Sequence, residues 1–340
     1  MELALATDYA GEAYDLETVW EALRESAEHG ITHMHWAHGW QGDHFYTSQE
    51  MRTIQGRLKE YGLQLKGIHA SAGWIYERKE GIYKWPPLNN PPCDYASLNE
   101  EVRRRGAGLI RNRLELANLT GAQEIVLHLQ LPYVRFEREK GFRDKFYTQV
   151  WKSLDEAADT ARTYGVRICL ENLVGTPEQY QIDELDRLFA RYPAESVGFC
   201  FDTGHGQLTN PADPLHLARR YQKRLYAMHL NDNMSCSGDF SDDLVLTKAD
   251  SHLVMGDGVV DFDGFADIAA GSPYSLPVVG EFVCRGDREE FFAKSVQRMT
   301  EFTERILKKR RELPCIQERA SLLSKAAQSA NLNGAELAAK

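Results

Sequence analysis

Between Leu3 and Lys309, short apolar runs alternate with stretches of helical periodicity eight times, and this alternation limits the fold more than any other feature. Leu3–Thr7, Ile31–His35, Leu63–His69, Glu124–His128, Val166–Asn172, Val197–Asp202, Leu225–Leu230 and Pro277–Val283 read as strands. The intervening stretches, Leu16–Gly30, Thr47–Gly62, about Leu98–Leu119, Phe142–Tyr164, Tyr180–Tyr192, Asp213–Gln222, Asp261–Ala270 and Arg288–Lys309, repeat apolar residues at helical spacing. A strand, a helix and a further strand in strict repetition give a parallel sheet, and eight such units close most simply into a (β/α)8 TIM barrel of the α/β class. An open doubly wound sheet is disfavoured, because no glycine-rich phosphate turn follows the first strand. The barrel is expected over residues 1–310. Residues 311–340 change character: they hold no aromatic residue and are rich in Ala, Ser, Lys, Gln and Leu. They read as a helical or flexible C-terminal extension, where Ile316, Leu322 and Leu323 offer an apolar face for the barrel or for a homo-oligomer partner.

What the strands end in points to chemistry. Strand three ends at His69, strand four at His128, strand five at Glu171, strand seven at His229 and strand eight at Glu281. Strand six delivers Asp202 and, across a Thr-Gly turn, His205; the loop after strand seven carries Asp250-Ser-His252. In a (β/α)8 barrel these carboxyl ends share one mouth. A single histidine ending a strand is usually hydrogen-bonded structure. The ensemble is different, because Glu171, Asp202 and Glu281 buried together need a cation. Imidazole mixed with carboxylate suits Zn or Mn, with Co and Fe also in range, better than Ca.

Around this set, Trp36, with His35 and His38, follows strand two, where an aromatic ring can stack on a sugar or line the barrel. Arg285, four residues beyond Glu281, is placed to hold a substrate phosphate or carboxylate, or to pair with Asp287. Two long loops, Ala70 to about Tyr95 and Asn231–Val260, are long enough to be functional. The first contains Trp74 and Trp85, candidates for a lid.

The segments Leu170-Glu-Asn172, Phe201-Asp-Thr-Gly-His205, His229-Leu-Asn-Asp232, His252-Leu-Val-Met-Gly-Asp-Gly-Val-Val-Asp-Phe262 and Gly280-Glu281 resemble the sugar isomerase/epimerase superfamily, the xylose-isomerase-like barrels. That resemblance implies one divalent metal held by Glu171, Asp202, His229 and Glu281. It makes Glu171 and Glu281 the proton-transfer pair and gives His205, with His69, a contact to substrate. The implied partner is a small sugar, sugar phosphate or polyol. The implied reaction is isomerisation or epimerisation through an enediolate, with dehydration of a polyol ketone sharing its first step.

A second branch of the superfamily, endonuclease IV, is also similar in its ligands. It cuts DNA at abasic sites with three zinc ions. Its larger set is matched by His69, His128, Glu171, Asp202, His205, His229, Asp250, His252 and Glu281, so one to three ions are implied. Nucleic acid is a partner only in that reading. A non-catalytic sugar-binding barrel is the third alternative, and the intact Glu171/Glu281 pair disfavours it.

Composition adds exclusions. A net charge of −10 argues against a polyanion partner, and the most basic run, Lys308–Arg311, falls at a helix end away from the expected mouth. No apolar run reaches the roughly 18 residues of a membrane span. The start, Met1-Glu2-Leu3-Ala4, lacks the basic opening of a signal peptide. The cysteines stand singly with no Cys-x-x-Cys pair, which suits reduced thiols and a cytoplasmic location.

Overall fold

Eight parallel strands form one sheet in the order β7-β6-β5-β4-β3-β2-β1-β8. They are β1 Ala4–Ala6, β2 His33–Trp36, β3 Gln64–His69, β4 Glu124–Leu127, β5 Arg167–Glu171, β6 Val197–Asp202, β7 Leu225–His229 and β8 Val279–Gly280. The two edges of that order meet through Leu230, whose N–H donates to Val279 O at 2.9 Å and whose carbonyl accepts from Glu281 N at 2.9 Å. The sheet is therefore a barrel. The computed structural model describes residues 1–11, 15–40, 44–70, 93–235, 245 and 248–338, with side chains described as far as Pro314. The expected lid residues Trp74 and Trp85 lie outside the described residues, as do the side chains of Ile316, Leu322 and Leu323.

The helices form where the apolar period predicts, and capping sets their ends. They are α1 Leu16–Glu28, α2 Ser48–Glu60, α3 Glu100–Thr120, α4 Tyr133–Arg138, α5 Phe142–Tyr164, α6 Glu178–Arg191, α7 Thr203–Thr209, α8 His216–Arg220, α9 Phe262–Ala270 and α10 Arg288–Ala338. Thr47 and Glu50 close a reciprocal capping box on α2, and Asn99 caps α3, which ends at a left-handed Gly121. α10 lays Phe291, Phe292, Met299, Phe302 and Ile306 against the barrel, all buried.

Three elements differ from the periodic pattern. The helix expected over Asp213–Gln222 shrinks to α8, and the short α4 precedes α5. The Thr-Gly turn after Asp202 is in fact the first turn of α7, with Asp202 as its N-cap accepting from His205 N at 2.6 Å. A helix of seven residues, about two turns, is too short for a period to reveal it.

Side-chain parity in the strands builds the site. Val126, Cys169, Cys200 and Ala227 form a small buried cluster. Successive residues of a strand face opposite ways, so residues two further along share that face. Those residues are His128, Glu171, Asp202 and His229. Two residues before Val126, Glu124 pairs with Lys66 Nζ at 2.9 Å, with both side chains almost wholly buried. The small-residue layer thus makes room above for the bulky polar groups. Cys169, Cys200 and Cys284 are free thiols. No described helix is long and apolar enough to cross a membrane.

Candidate metal centre

Glu171, Asp202, His229 and Glu281 each offer a ligand atom within 4.8 Å of the others, and all four residues are buried. His229 Nδ1 lies 3.2 Å from Glu171 Oε2 and 3.2 Å from Glu281 Oε2. Neither approach has hydrogen-bond geometry, and Glu171 Oε1 likewise accepts no hydrogen bond. Buried polar atoms are seldom left in this condition. Lone pairs that converge without pairing describe a cation's coordination shell. Asp202 is steadied by Asn231 Nδ2, which donates to Oδ2 at 2.6 Å. The other nitrogen of His229, Nε2, lies 3.1 Å from His35 Nε2, a partner of the kind that orients a ligating imidazole.

The electrostatics agree. Burial would raise the Glu171 carboxyl, but the neighbouring imidazoles His229 and His128 outweigh it and hold Glu171 well below the usual range. Burial pushes Asp202 up to about 7, against the pull of His205 and with the help of Glu171 and Glu281. Imidazoles alone leave Asp202 raised beside its two neighbouring carboxylates, and a divalent ion would supply the missing positive charge.

A second group adjoins the first. His205, Asp250 and His252 also bring ligand atoms within 4.8 Å of one another. His205 Nε2 lies 3.3 Å from Asp250 Oδ2, and His252 Nε2 lies 3.3 Å from Asp250 Oδ1. The opposite ring nitrogens fix the tautomers. His205 Nδ1 sits 2.9 Å from the Asn172 carbonyl and His252 Nδ1 sits 2.9 Å from the Glu281 carbonyl. A carbonyl only accepts, so each Nδ1 carries the proton and donates, leaving Nε2 turned toward Asp250. Burial would lower His252, but Asp250 overrides it and lifts the ring to about 10. That proton occupies the place a cation would take. The two groups touch where His205 Nδ1 lies 3.3 Å from Glu171 Oε1.

His69 and His128 crowd the other side of Glu171, with Nε2 atoms 3.8 and 3.1 Å from Oε2. His69, Glu171 and His229 make a third set of close ligand atoms. All nine expected ligands therefore meet at one mouth.

The remaining candidates divide. Parity along β2 turns His35 into the barrel and sends Trp36 outward. There its ring packs on Trp20, His38 and Tyr46, and its indole N–H donates to Tyr46 Oη at 2.8 Å. Among the described residues, Trp40 is an aromatic at the mouth, half-buried, with its ring centroid 5.3 Å from that of His69 and 5.8 Å from that of His128. No sequence period marks it. Arg285 is exposed and donates to the Ser251 carbonyl at 2.7 Å, so it steadies the loop between Asp250 and His252. Asp8, beyond β1, carries no mark in the sequence pattern; burial and then the charge of Glu281 raise its carboxyl to about 6.

Comparison with known proteins places these features. The family model described as xylose isomerase-like TIM barrel matches residues 23–302. An uncharacterized protein of Sinorhizobium fredii is 27% identical over 264 residues, 76% of this chain and 80% of that one. The inosose dehydratase of Lacticaseibacillus casei is 30% identical over 187 residues, 52% of this chain and 62% of the enzyme. Among solved structures, a D-tagatose 3-epimerase-like protein superposes with a TM-score of 0.64 at 18% identity, covering 91% of this chain and 99% of that one. At that identity the likeness is one of fold.

Proposed function

This chain belongs to the xylose isomerase-like TIM-barrel family, and from that premise we propose that it is a divalent-metal-dependent enzyme acting on a small sugar or polyol ketone. The reaction it catalyses begins by moving the proton next to the carbonyl. One observation carries this reading: Glu171, at the end of β5, and Glu281, directly after β8, bring carboxylate oxygens to the same imidazole nitrogen at 3.2 Å each. Two bases thus reach one small volume from different walls of the barrel.

A divalent ion held by Glu171, Asp202, His229 and Glu281 would supply Lewis-acid polarisation of the substrate carbonyl. Zn or Mn suits the donor set, with Co or Fe as substitutes. The chain's own groups do the rest. Glu171 Oε1, which accepts no hydrogen bond, takes the proton from carbon, and the electron pair left behind runs onto the carbonyl oxygen. Proton return by Glu281 to the opposite face gives the epimer; return to the former carbonyl carbon, with the hydroxyl proton of the first carbon passing to the former carbonyl oxygen, gives the isomer. Alternatively the carbonyl re-forms, its electron pair builds a carbon–carbon double bond, and the hydroxyl of the next carbon takes up the abstracted proton and leaves as water; that is dehydration, the reaction named for the L. casei relative. Trp40 borders this volume beside His69 and His128, where its ring can cover the apolar face of a substrate.

Deuterium wash-in tests the proposal. Protein loaded with Mn, Co or Zn is incubated in heavy water with ketoses, ketose phosphates and inososes, and each is followed by proton NMR. Loss of the signal next to the carbonyl in at least one of them is expected. Exchange in none of them would overturn the reading.

The second ligand group favours one further reading. Several adjacent ions suit phosphodiester hydrolysis, in which one activates water and others neutralise the phosphate. Incision of a duplex carrying a single abasic site, with no deuterium exchange into any sugar, would establish that reading in place of the first.

A further inference from the structure

Asp232 belongs to neither ligand group, yet it is wholly buried, and among the described residues its carboxylate accepts from four backbone N–H groups. Oδ1 accepts from Asn233 N at 2.9 Å and Val260 N at 3.0 Å, and Oδ2 accepts from Gly256 N and Gly258 N at 2.9 Å each. Its backbone adds a two-way pair with Leu253, at 2.9 and 2.8 Å. Leu253 directly follows His252. Charge-assisted bonds of this kind are roughly twice as strong as neutral ones, and here they gather the stretch 253–260 around one carboxylate. The packing leaves no slack: a Cβ on Gly258 would lie 2.2 Å from Asn233 O and 2.3 Å from Asp232 Oδ1.

The preceding residue performs the matching task for the other group. Asn231 Nδ2 holds Asp202, while Thr203 Oγ1 donates to the Asn231 carbonyl at 2.7 Å. Adjacent side chains at the end of β7 therefore serve different ligand groups.

We propose that Asp232 is the positioning residue of the His205–Asp250–His252 group, setting the loop so that both Nε2 atoms and Asp250 face one point. The proposal rests on reading that group as a metal site. Replacing Asp232 with Asn keeps its shape but turns an amide N–H₂ toward backbone N–H donors. That change should let the loop shift and leave the strand-borne quartet in place.

Cobalt(II) titration of the metal-free full-length protein, followed by visible absorbance and equilibrium dialysis, tests this. The wild-type chain is expected to take up cobalt in more than one step, and H252A should lose the step that belongs to the loop. D232N should weaken that same step about 10–100-fold, as removal of an outer partner of a metal ligand typically does, without moving the quartet's step. Equal cobalt binding by D232N and wild type would overturn the proposal. So would equal weakening of every step, which marks a merely structural role. Should D232N fail to fold, G258A displaces the same contacts from the loop side and must show the same selective weakening. Unchanged uptake by H252A would instead remove the metal reading of the group, and the proposal with it, whatever D232N does.

Discussion

Glu171, Asp202 and His229 each stand on the last residue of a strand, whereas Asp250 and His252 ride on the connection between β7 and α9. The strand-borne ligands are held by the sheet itself: Glu171 is in register with Cys200, and Asp202 with His229. Their exposure is 4% or less, against side-chain values of 20% for Asp250 and 22% for His252. His252 also adopts φ 46°, a left-handed conformation that costs a non-glycine residue on the order of 1–3 kcal/mol. Hydrogen bonds from its ring to Glu281 O and from its neighbours to Asp232 offset that strain. One group is preformed by topology, and the other is assembled by side chains that recruit a loop. The first should be robust and the second conditional.

The strongest way to break this comparison is through Glu171, the quartet residue that touches the second group at His205. E171Q keeps the volume but removes the proposed base and a charged ligand. Deuterium exchange into substrate should fall about 10³-fold, within the range for loss of a positioned acid–base group, with the circular dichroism spectrum unchanged. Exchange at the wild-type rate would take Glu171 out of the mechanism.

Metal removal comes next. An ion present at about 1,000 times its dissociation constant stabilises the fold by roughly 4 kcal/mol, so chelation should lower Tm. If the groups differ as their construction implies, a chelator titration will strip the loop-borne ion at least about ten-fold earlier than the quartet's, reflecting the loss of one well-held ligand contact. A single concerted release would show that the two groups bind as one.

N231A should reverse that order. It deletes the 2.6 Å hydrogen bond to Asp202 Oδ2 and leaves the bonds from Asp232 to the loop intact. The quartet should bind cobalt about 10–100-fold more weakly, with the loop group little changed. Weakening of the loop group alone would refute the division of labour between Asn231 and Asp232.

The same division explains what could be read from sequence. Strand ligands are legible because apolar runs that end in an acid or a histidine have a parity of two, and parity fixes which side chains share the barrel interior. His69, His128, Glu171, Asp202, His229 and Glu281 declare themselves in that way. Asp232 does not: it stands in a visible motif, but three of its four carboxylate partners lie 24 to 28 residues further on, and only the folded loop brings their N–H groups together. Trp40 is hidden for a related reason, since it reaches His69 and His128 from a turn, Trp40 N to Ala37 O at 3.2 Å, and not from a periodic element. The short helix α7 was concealed by its length, although its N-cap, Asp202, was already prominent as a ligand.

The smallest effect comes from a buried carboxyl that has no imidazole beside it. Glu184 on α6 is 4% exposed, and its Oε1 has no hydrogen-bond partner. Burial raises its carboxyl well above the ordinary value of 4.5, the opposite direction to Glu171. The folded chain therefore binds this proton more tightly than the unfolded chain. Its contribution is fully present below about pH 4.5 and is lost as pH rises from there toward the folded value, by at most about 1.4 kcal/mol per pH unit. E184Q stays neutral at every pH, so its Tm relative to wild type should increase steadily from pH 5 to pH 8. A difference that stays flat over that range would mean that Glu184 is ionised in the fold. The contrast between a lone buried carboxyl and the imidazole-flanked Glu171 would then lose its physical basis.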